Sequence, residues 1–312
     1  MLARSHGPFG LLPVGGDPAG FDRAFEQCCG GWLDAWPGLP VIACGMVGSR
    51  RGWVEAPYRE LPADLLDPAL SLARVRTGRG TELCVIPGLV ETRGLRGVIR
   101  GEETQLAGLL GDGRYAGTGP GTGASTGPSA GASTGADVVL PGTHSKWVRL
   151  RGSVVTGFTT YLTGELYALL SSQSILAEFI RQDAQPAGVR WDAFDRGVDV
   201  AVDAAGTGTG LLGVLFSART LPLTGAMPEA DVADYLSGLV IGTELAGVRA
   251  SWLGGGGDAV AGRPLWSLAG AELSDRYRRA ALRLGLATVH VLDDAAARGL
   301  WRTACAAGLI KS

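Results

Sequence analysis

Between Gly111 and Ala136 the chain is almost entirely Gly, Ser, Thr, Ala and Pro, and Gly-Ala-Ser-Thr-Gly occurs in it twice. Such a stretch cannot bury a core and behaves as a flexible linker with no chemistry of its own. It splits the chain into residues 1–110 and 137–312, and each side must supply its own packing. A chain of 312 residues is long enough for two ordinary domains or one large two-lobed unit. With 46% hydrophobic and 19% charged residues, a sizeable core is expected and global disorder is excluded. The net charge of −2 argues against nucleic acid or an anionic membrane surface as partner. Any anionic ligand must then be held by a local site.

The five cysteines (28, 29, 44, 84 and 305) are odd in number and form no Cys-x-x-Cys pair. With only three histidines, the pattern fits reduced thiols in a cytoplasmic protein and no protein-built metal site. The first residues lack the apolar core of a signal peptide, and no apolar run is long enough to span a bilayer. A homodimer is left open as the assembly.

Hydrophobic periodicity predicts a helix over 20–36, buried strands over 39–45 and 82–87, and a helix beginning near Glu102. After the linker come a strand at 137–140, paired strands at 147–150 and 153–158, and a helix N-capped by Thr163. Further on, helices are predicted at 231–252, 274–284 and from Asp294, with strands at 265–269 and 287–292. The first part shows no opening pair of strands joined by a turn.

Three segments could carry chemistry. In Leu140-Pro141-Gly142-Thr143-His144-Ser145-Lys146-Trp147, a Gly turn with two hydroxyls and a cation suits the outer phosphates of a nucleotide. A plain polar hairpin turn is the competing reading, and His144, a candidate general base, is in a turn more often a structural hydrogen-bonding group. In Arg100-Gly101-Glu102-Glu103-Thr104-Gln105, the two carboxylates suit a helix N-terminus, whereas Arg100 can fork onto a substrate carboxylate. The apolar strand ending in Cys44-Gly45-Met46-Val47-Gly48-Ser49 is a common place for a ligand and also a common way to end a strand.

Ala269, Gly270 and Ala271, between a strand and a helix, give a purine backbone to lie against. The glycine run 254–257 lacks the Lys-Ser/Thr of a phosphate loop and reads as a flexible turn. Gly238 and Gly242, four apart in one predicted helix, permit close approach of another element.

Taken in order, several motifs together resemble the 2-dehydro-3-deoxygalactonokinase family. They are Gly-Met-Val-Gly-Ser with Gly-Trp and Ala-Pro-Tyr (45–58), Ile-Pro-Gly-Leu (86–89) and Arg-Gly-Glu-Glu-Thr-Gln-Leu (100–106). Leu-Pro-Gly-Thr-His-Ser-Lys-Trp-Val (140–148), Thr-Gly-Glu-Leu (163–166) and Tyr-Leu-Ser-Gly-Leu-Val-Ile-Gly-Thr-Glu (235–244) follow, then Ala-Gly-Ala-Glu-Leu with Arg-Tyr (269–277).

The resemblance implies an α/β, two-lobed actin-like ATPase (ribonuclease H-like) architecture with mixed sheets. It also implies transfer of the γ-phosphoryl of ATP, with Mg2+, to the terminal hydroxyl of 2-dehydro-3-deoxy-D-galactonate in galactonate catabolism. On it, Gly142, Thr143, His144, Ser145 and Lys146 match a phosphate segment, and Ala269, Gly270 and Ala271 lie near the adenosine. Gly45, Met46, Gly48 and Ser49, with Arg100, Glu102, Glu103 and Gln105, face the sugar acid. The assignment of Arg100 to the substrate carboxylate comes from its charge. The family's opening Asp-Trp-Gly-Thr-Thr-Asn-like hairpin has no match, so the first lobe is expected to be truncated at its N-terminus, with activity of this chain in question. No residue is assigned as general base. A non-catalytic sugar-acid or nucleotide-binding protein, or a kinase for another sugar acid, stands as the alternative.

Overall fold

The structure, a computed structural model, describes residues 4–7, 17–116, 135–180, 188–253, 265–286, 289–292 and 294–310. Most of the Gly-rich linker and the glycine run 254–257 lie outside these residues. Up to residue 116 the order is α1 (Pro18–Ala35), β1 (Val41–Ala43), β2 (Tyr58–Glu60), β3 (Ala63–Asp64), β4 (Ala73–Arg76), β5 (Glu82–Val85), β6 (Gly88–Glu91), β7 (Gly97–Ile99), α2 (Glu102–Leu109) and α3 (Gly113–Ala116). From residue 135 follow β8 (Gly135–Leu140), β9 (Ser145–Arg151), β10 (Val154–Tyr161), α4 (Thr163–Gln173), α5 (Trp191–Thr207), α6 (Gly210–Val214), α7 (Ser217–Leu223), α8 (Val232–Val248), β11 (Leu265–Ser267), α9 (Ala271–Arg283), β12 (Val289–Val291) and α10 (Ala295–Ala306).

The chain forms two compact units. One comprises residues 1–134, 149–158 and 294–312, the other 135–148 and 159–293. The sequence boundaries put everything after residue 136 in one lobe, whereas these contacts group 149–158 and the C-terminal helix with the first unit. Residues 149–158 pair with β3, Val154 against Asp64 and Val155 against Ala63, and the C-terminal helix joins through two glycines. A Cβ on Gly108 of α2 would collide with the carbonyl of Ala295, and one on Gly299 of α10 with that of Thr104. Only glycine at both places lets the two helix backbones touch.

In the first unit, Asp17 caps α1 by accepting from the amide of Ala19, and proline opens the helix. The buried face of α1 carries Phe21 and Phe25, both packed on Trp53 with ring centroids 6.1 and 5.9 Å away. β1 pairs parallel with β5, and β5 antiparallel with β4. A second small sheet has the order β2-β6-β7, parallel then antiparallel. The mixed sheets agree with the expected α/β class.

In the second unit, β8 runs parallel to β11, and β11 parallel to β12. α5 and α8 cross at close range, because a Cβ on Gly197 would strike the carbonyl of Tyr235 and one on Gly238 that of Phe194. Around the crossing lie Phe194, Val198, Tyr235, Leu236, Leu239 and Leu245, all inaccessible to solvent. Burial of each such side chain contributes roughly 1.5–3 kcal/mol. No described helix is long and apolar enough to cross a membrane.

Candidate active site

In the first unit, β1 runs out at Ala43 and the chain tightens into a 3-10 turn over Gly45–Gly48. Gly45 has φ 84°, in the left-handed region where glycine is unstrained. The loop closes on itself as Trp53 donates its amide to the Val47 carbonyl and Ala56 to that of Gly48, both at 2.9 Å.

Facing it is the end of β7. Gly101, with φ 108°, places its Cβ position 3.2 Å from the Cα of Gly45, so the two loops meet glycine to glycine. Both carboxylates predicted at this helix start turn back onto the chain. Glu102 Oε2 accepts from the Arg100 amide at 2.8 Å, and Glu103 Oε2 from the Gly101 amide at 2.6 Å. They satisfy amides that the helix leaves open, as the charge preference of its first turn predicts.

Glu103 is only 3% exposed. Burial pushes its carboxyl up to about 7, against the hydrogen bonds from the Gly101 amide and Thr104 hydroxyl. Burial also pushes the neighbouring Cys44 thiol up to about 11.

The Arg100 side chain goes elsewhere. Its Nη2 donates to the Ala56 carbonyl at 2.8 Å, its Nε lies 3.4 Å from the Tyr58 hydroxyl, and its guanidinium sits 4.3 Å above the Tyr58 ring. Its Nη1 lies beside Gly48, 3.0 Å from where a Cβ would stand, and is buried without a hydrogen-bond partner. Ser49 Oγ is likewise buried and unpartnered. A cation held by one carbonyl and a ring, with one of its own nitrogens unsatisfied and an unsatisfied hydroxyl on the residue after Gly48, is a place that an anionic group would complete. Segments 45–49, 56–58 and 100–103 therefore lie together. Met46 is exposed in the turn, and Gln105 is half-buried on α2.

In the second unit, β8 and β11 end side by side. Ser267 is in register with Val139, and the amide of Leu268 donates to the Val139 carbonyl at 3.0 Å. The segments 141–144 and 268–270 thus leave two adjacent parallel strands at their carboxyl ends, the edge where ligands bind in α/β sheets. Nothing lies within 4 Å of where a Cβ would stand on Gly142 or Gly270. Thr143 and His144 are exposed. The turn is braced by α4, for the Glu165 amide donates to the Thr143 carbonyl at 2.8 Å and the Glu165 carboxylate meets His144 Nε2 at 2.5 Å. Gly270 caps α9 without a side chain, Ala271 opens that helix, and the Ala269 carbonyl accepts from the Ser274 hydroxyl at 3.1 Å. Lys146 is buried in β9.

Ser145 points inward. It is fully buried, and its hydroxyl donates to Glu244 Oε1 at 2.8 Å. The same carboxylate accepts from Trp147 Nε1 at 2.6 Å, from the Tyr277 hydroxyl at 2.8 Å and from Thr163 Oγ1. Thr163, expected as an N-cap, is therefore the first residue of its helix, with Leu162 at the cap position and its hydroxyl committed to Glu244. Glu244 is 1% exposed, and burial raises its pKa against the pull of four donors. In the sequence Glu244 only closes the motif 235–244, with no role assigned to it. An acidic residue among mostly apolar neighbours in the second half of α8 is the available signal.

Among the described residues no cluster of three or more His, Cys, Asp or Glu side chains is placed to hold a metal ion.

Residues 2–303 match the family described as 2-keto-3-deoxy-galactonokinase. The "Probable 2-dehydro-3-deoxygalactonokinase DgoK1" of Rhizobium meliloti (strain 1021) is 36% identical over 281 residues, covering 84% of this chain and 79% of its own. The 2-dehydro-3-deoxygalactonokinase of Escherichia coli (strain K12) is 33% identical over 259 residues, covering 82% of this chain and 75% of its own. The crystal structure titled "a putative 2-dehydro-3-deoxygalactonokinase protein from Sinorhizobium meliloti" superposes with a TM-score of 0.73 at 32% identity, over 92% of this chain and 88% of that one. The fold, the ordered motifs and these matches agree: the chain is a kinase that belongs to the 2-keto-3-deoxy-galactonokinase family.

Proposed function

We propose that the protein transfers the γ-phosphoryl group of ATP to the terminal hydroxyl of 2-dehydro-3-deoxy-D-galactonate. The bond between the γ-phosphorus and its bridging oxygen breaks, the sugar oxygen takes the phosphoryl group, ADP leaves, and the hydroxyl proton passes to solvent or a base. The observation that carries this reading is the approach of the 45–49 turn and of Ala56 and Tyr58 to Arg100, which lies 42 or more residues further along the chain, with the Arg100 Nη1 and the Ser49 hydroxyl both unsatisfied. A sugar acid brings the carboxylate that such a pair lacks.

In this reading Gly45, Met46, Gly48, Ser49, Arg100 and the α2 start hold the sugar acid. The turn Gly142–His144, with Lys146, takes the phosphates, and Ala269–Ala271 border the adenosine. Glu102 and Glu103 keep Arg100 and Gly101 in place through their amides. A magnesium ion would travel with the nucleotide, held by its phosphates and by water, and would neutralise charge on the transferring group. The two units correspond to the lobes of an actin-like ATPase. Five free cysteines suit the cytoplasm, where ATP is available.

The direct test follows ADP release by the 312-residue chain with ATP, Mg2+ and 2-dehydro-3-deoxygalactonate, with phosphorus NMR of the product. ADP formed in step with a phosphomonoester on the terminal carbon is expected. Absence of turnover with this sugar acid would refute the assignment.

A further inference from the structure

Glu244 is a costly residue for its place. It lies in α8, whose other buried residues are almost all apolar, and taking a carboxylate out of water costs several kcal/mol even in a well-bonded site. A hydrophobic side chain of similar volume would fill the same space more cheaply. What the carboxylate does that an apolar group cannot is accept hydrogen bonds from several directions. Its four partners, Ser145, Trp147, Thr163 and Tyr277, are all uncharged donors.

Where those donors sit matters more than their number. Ser145 follows the exposed turn 141–144 directly. Thr163 begins α4, and the next two residues brace that turn: a Cβ on Gly164 would strike the Gly142 carbonyl, and the Glu165 amide holds the Thr143 carbonyl. Tyr277 lies two turns into α9, the helix that opens from the segment 268–270. Its hydroxyl also lies 3.2 Å from the Ser145 hydroxyl, closing the network. One carboxylate thus ties together the two segments that leave β8 and β11.

We infer that Glu244 is a positioning residue for nucleotide binding, locking the 141–146 turn and the start of α9 into one geometry. The inference rests on the nucleotide reading of these segments. Phosphoryl transfer depends on donors fixed before the substrate arrives, and a fully satisfied buried network is what fixes them. The role is indirect, because the carboxylate itself is closed off from any ligand.

The test combines amide hydrogen exchange with two-substrate kinetics on the full chain, in wild type, E244Q, S145A and Y277F. Glutamine preserves the volume but sets an NH2 group among donors. For E244Q we expect faster exchange at both 141–146 and 268–272. We also expect the KM for ATP to rise by about tenfold, equivalent to ~1.4 kcal/mol, with the KM for the sugar acid unchanged. S145A should loosen 141–146 alone and Y277F mainly 268–272, which keeps the test decisive if E244Q does not fold. Wild-type exchange rates at both segments in folded variants would overturn the inference. Faster exchange with a raised KM for the sugar acid instead of ATP would support the positioning and overturn the assignment of these segments to the nucleotide.

Discussion

Glu103 in the first unit and Glu244 in the second are both buried, and the two are held in opposite ways. Glu103, 3% exposed at the start of α2, bonds to Gly101 and Thr104, both within two residues of it. Glu244, 1% exposed in the middle of α8, bonds to side chains 33, 81, 97 and 99 residues away. Burial raises the pKa of both, to about 7 for Glu103. The first is a local device: it finishes a helix start and fixes the glycine that meets Gly45. The second is a tertiary device, since its partners are brought together only when β9, α4, α8 and α9 have packed. A buried carboxylate can therefore close a turn or join elements, and the sequence distance of its donors tells which.

The largest effect should come from breaking the tertiary device outright. E244A strips four buried donors of their acceptor, and each unsatisfied group costs roughly 1–3 kcal/mol. A loss of more than about 4 kcal/mol in urea unfolding, or failure to fold, is expected. A loss below about 1 kcal/mol would show that water replaces the carboxylate and that the network joins nothing.

The next largest concerns Glu103 and pH. Its folded carboxyl binds a proton more tightly than the ordinary value of 4.5 allows, up to about 7. Stability present below about pH 4.5 is therefore lost as pH rises through about 7. The difference of about 2.5 pH units corresponds to ~3 kcal/mol. E103Q should unfold with a flatter pH profile than wild type between pH 5 and pH 8. Parallel profiles would mean that Glu103 is no more buried energetically than a surface carboxylate.

Smaller effects sharpen the contrast. Y277F removes one donor of four and should cost about 1 kcal/mol of stability in denaturant melts. T104V removes a hydroxyl that favours the ionised form of Glu103, so the pH at which stability falls should move upward. An unchanged or lower midpoint would show that the Thr104 bond is not made in solution.

The contrast between the two glutamates also explains what the sequence discloses. Glu102 and Glu103 read as helix-start residues from their position alone, because their partners are their neighbours. The strand ends near Ala43, Val85 and Leu140 and the helix starts near Glu102 and Ala295 were legible from apolar runs and caps. The convergence of 45–58 with 100–105 was legible only through ordered family motifs, since no spacing rule joins them.

Other features stayed hidden for physical reasons. The helix α5 shows its core face through Ala193, Phe194, Gly197, Val198, Ala201 and Ala204, regularly spaced but mostly small residues that offer little apolar area. Its packing becomes intelligible once Gly238 of α8 is seen against it. Thr163 has the chemistry of an N-cap, but the stronger acceptor of Glu244, absent from any local window, takes its hydroxyl. That α10 belongs with α2 depends on two glycines 191 residues apart (299 − 108).

The most direct measurement is the KM for 2-dehydro-3-deoxygalactonate and for ATP in R100A beside wild type. Arg100 anchored on Ala56 and Tyr58, with Nη1 unsatisfied, predicts that the sugar-acid KM rises about 10- to 100-fold while the ATP KM stays constant, the loss of one charged hydrogen-bonding partner being worth about 1.5–3 kcal/mol. An ATP KM that rises while the sugar-acid KM holds would contradict the placement of the sugar acid at Arg100.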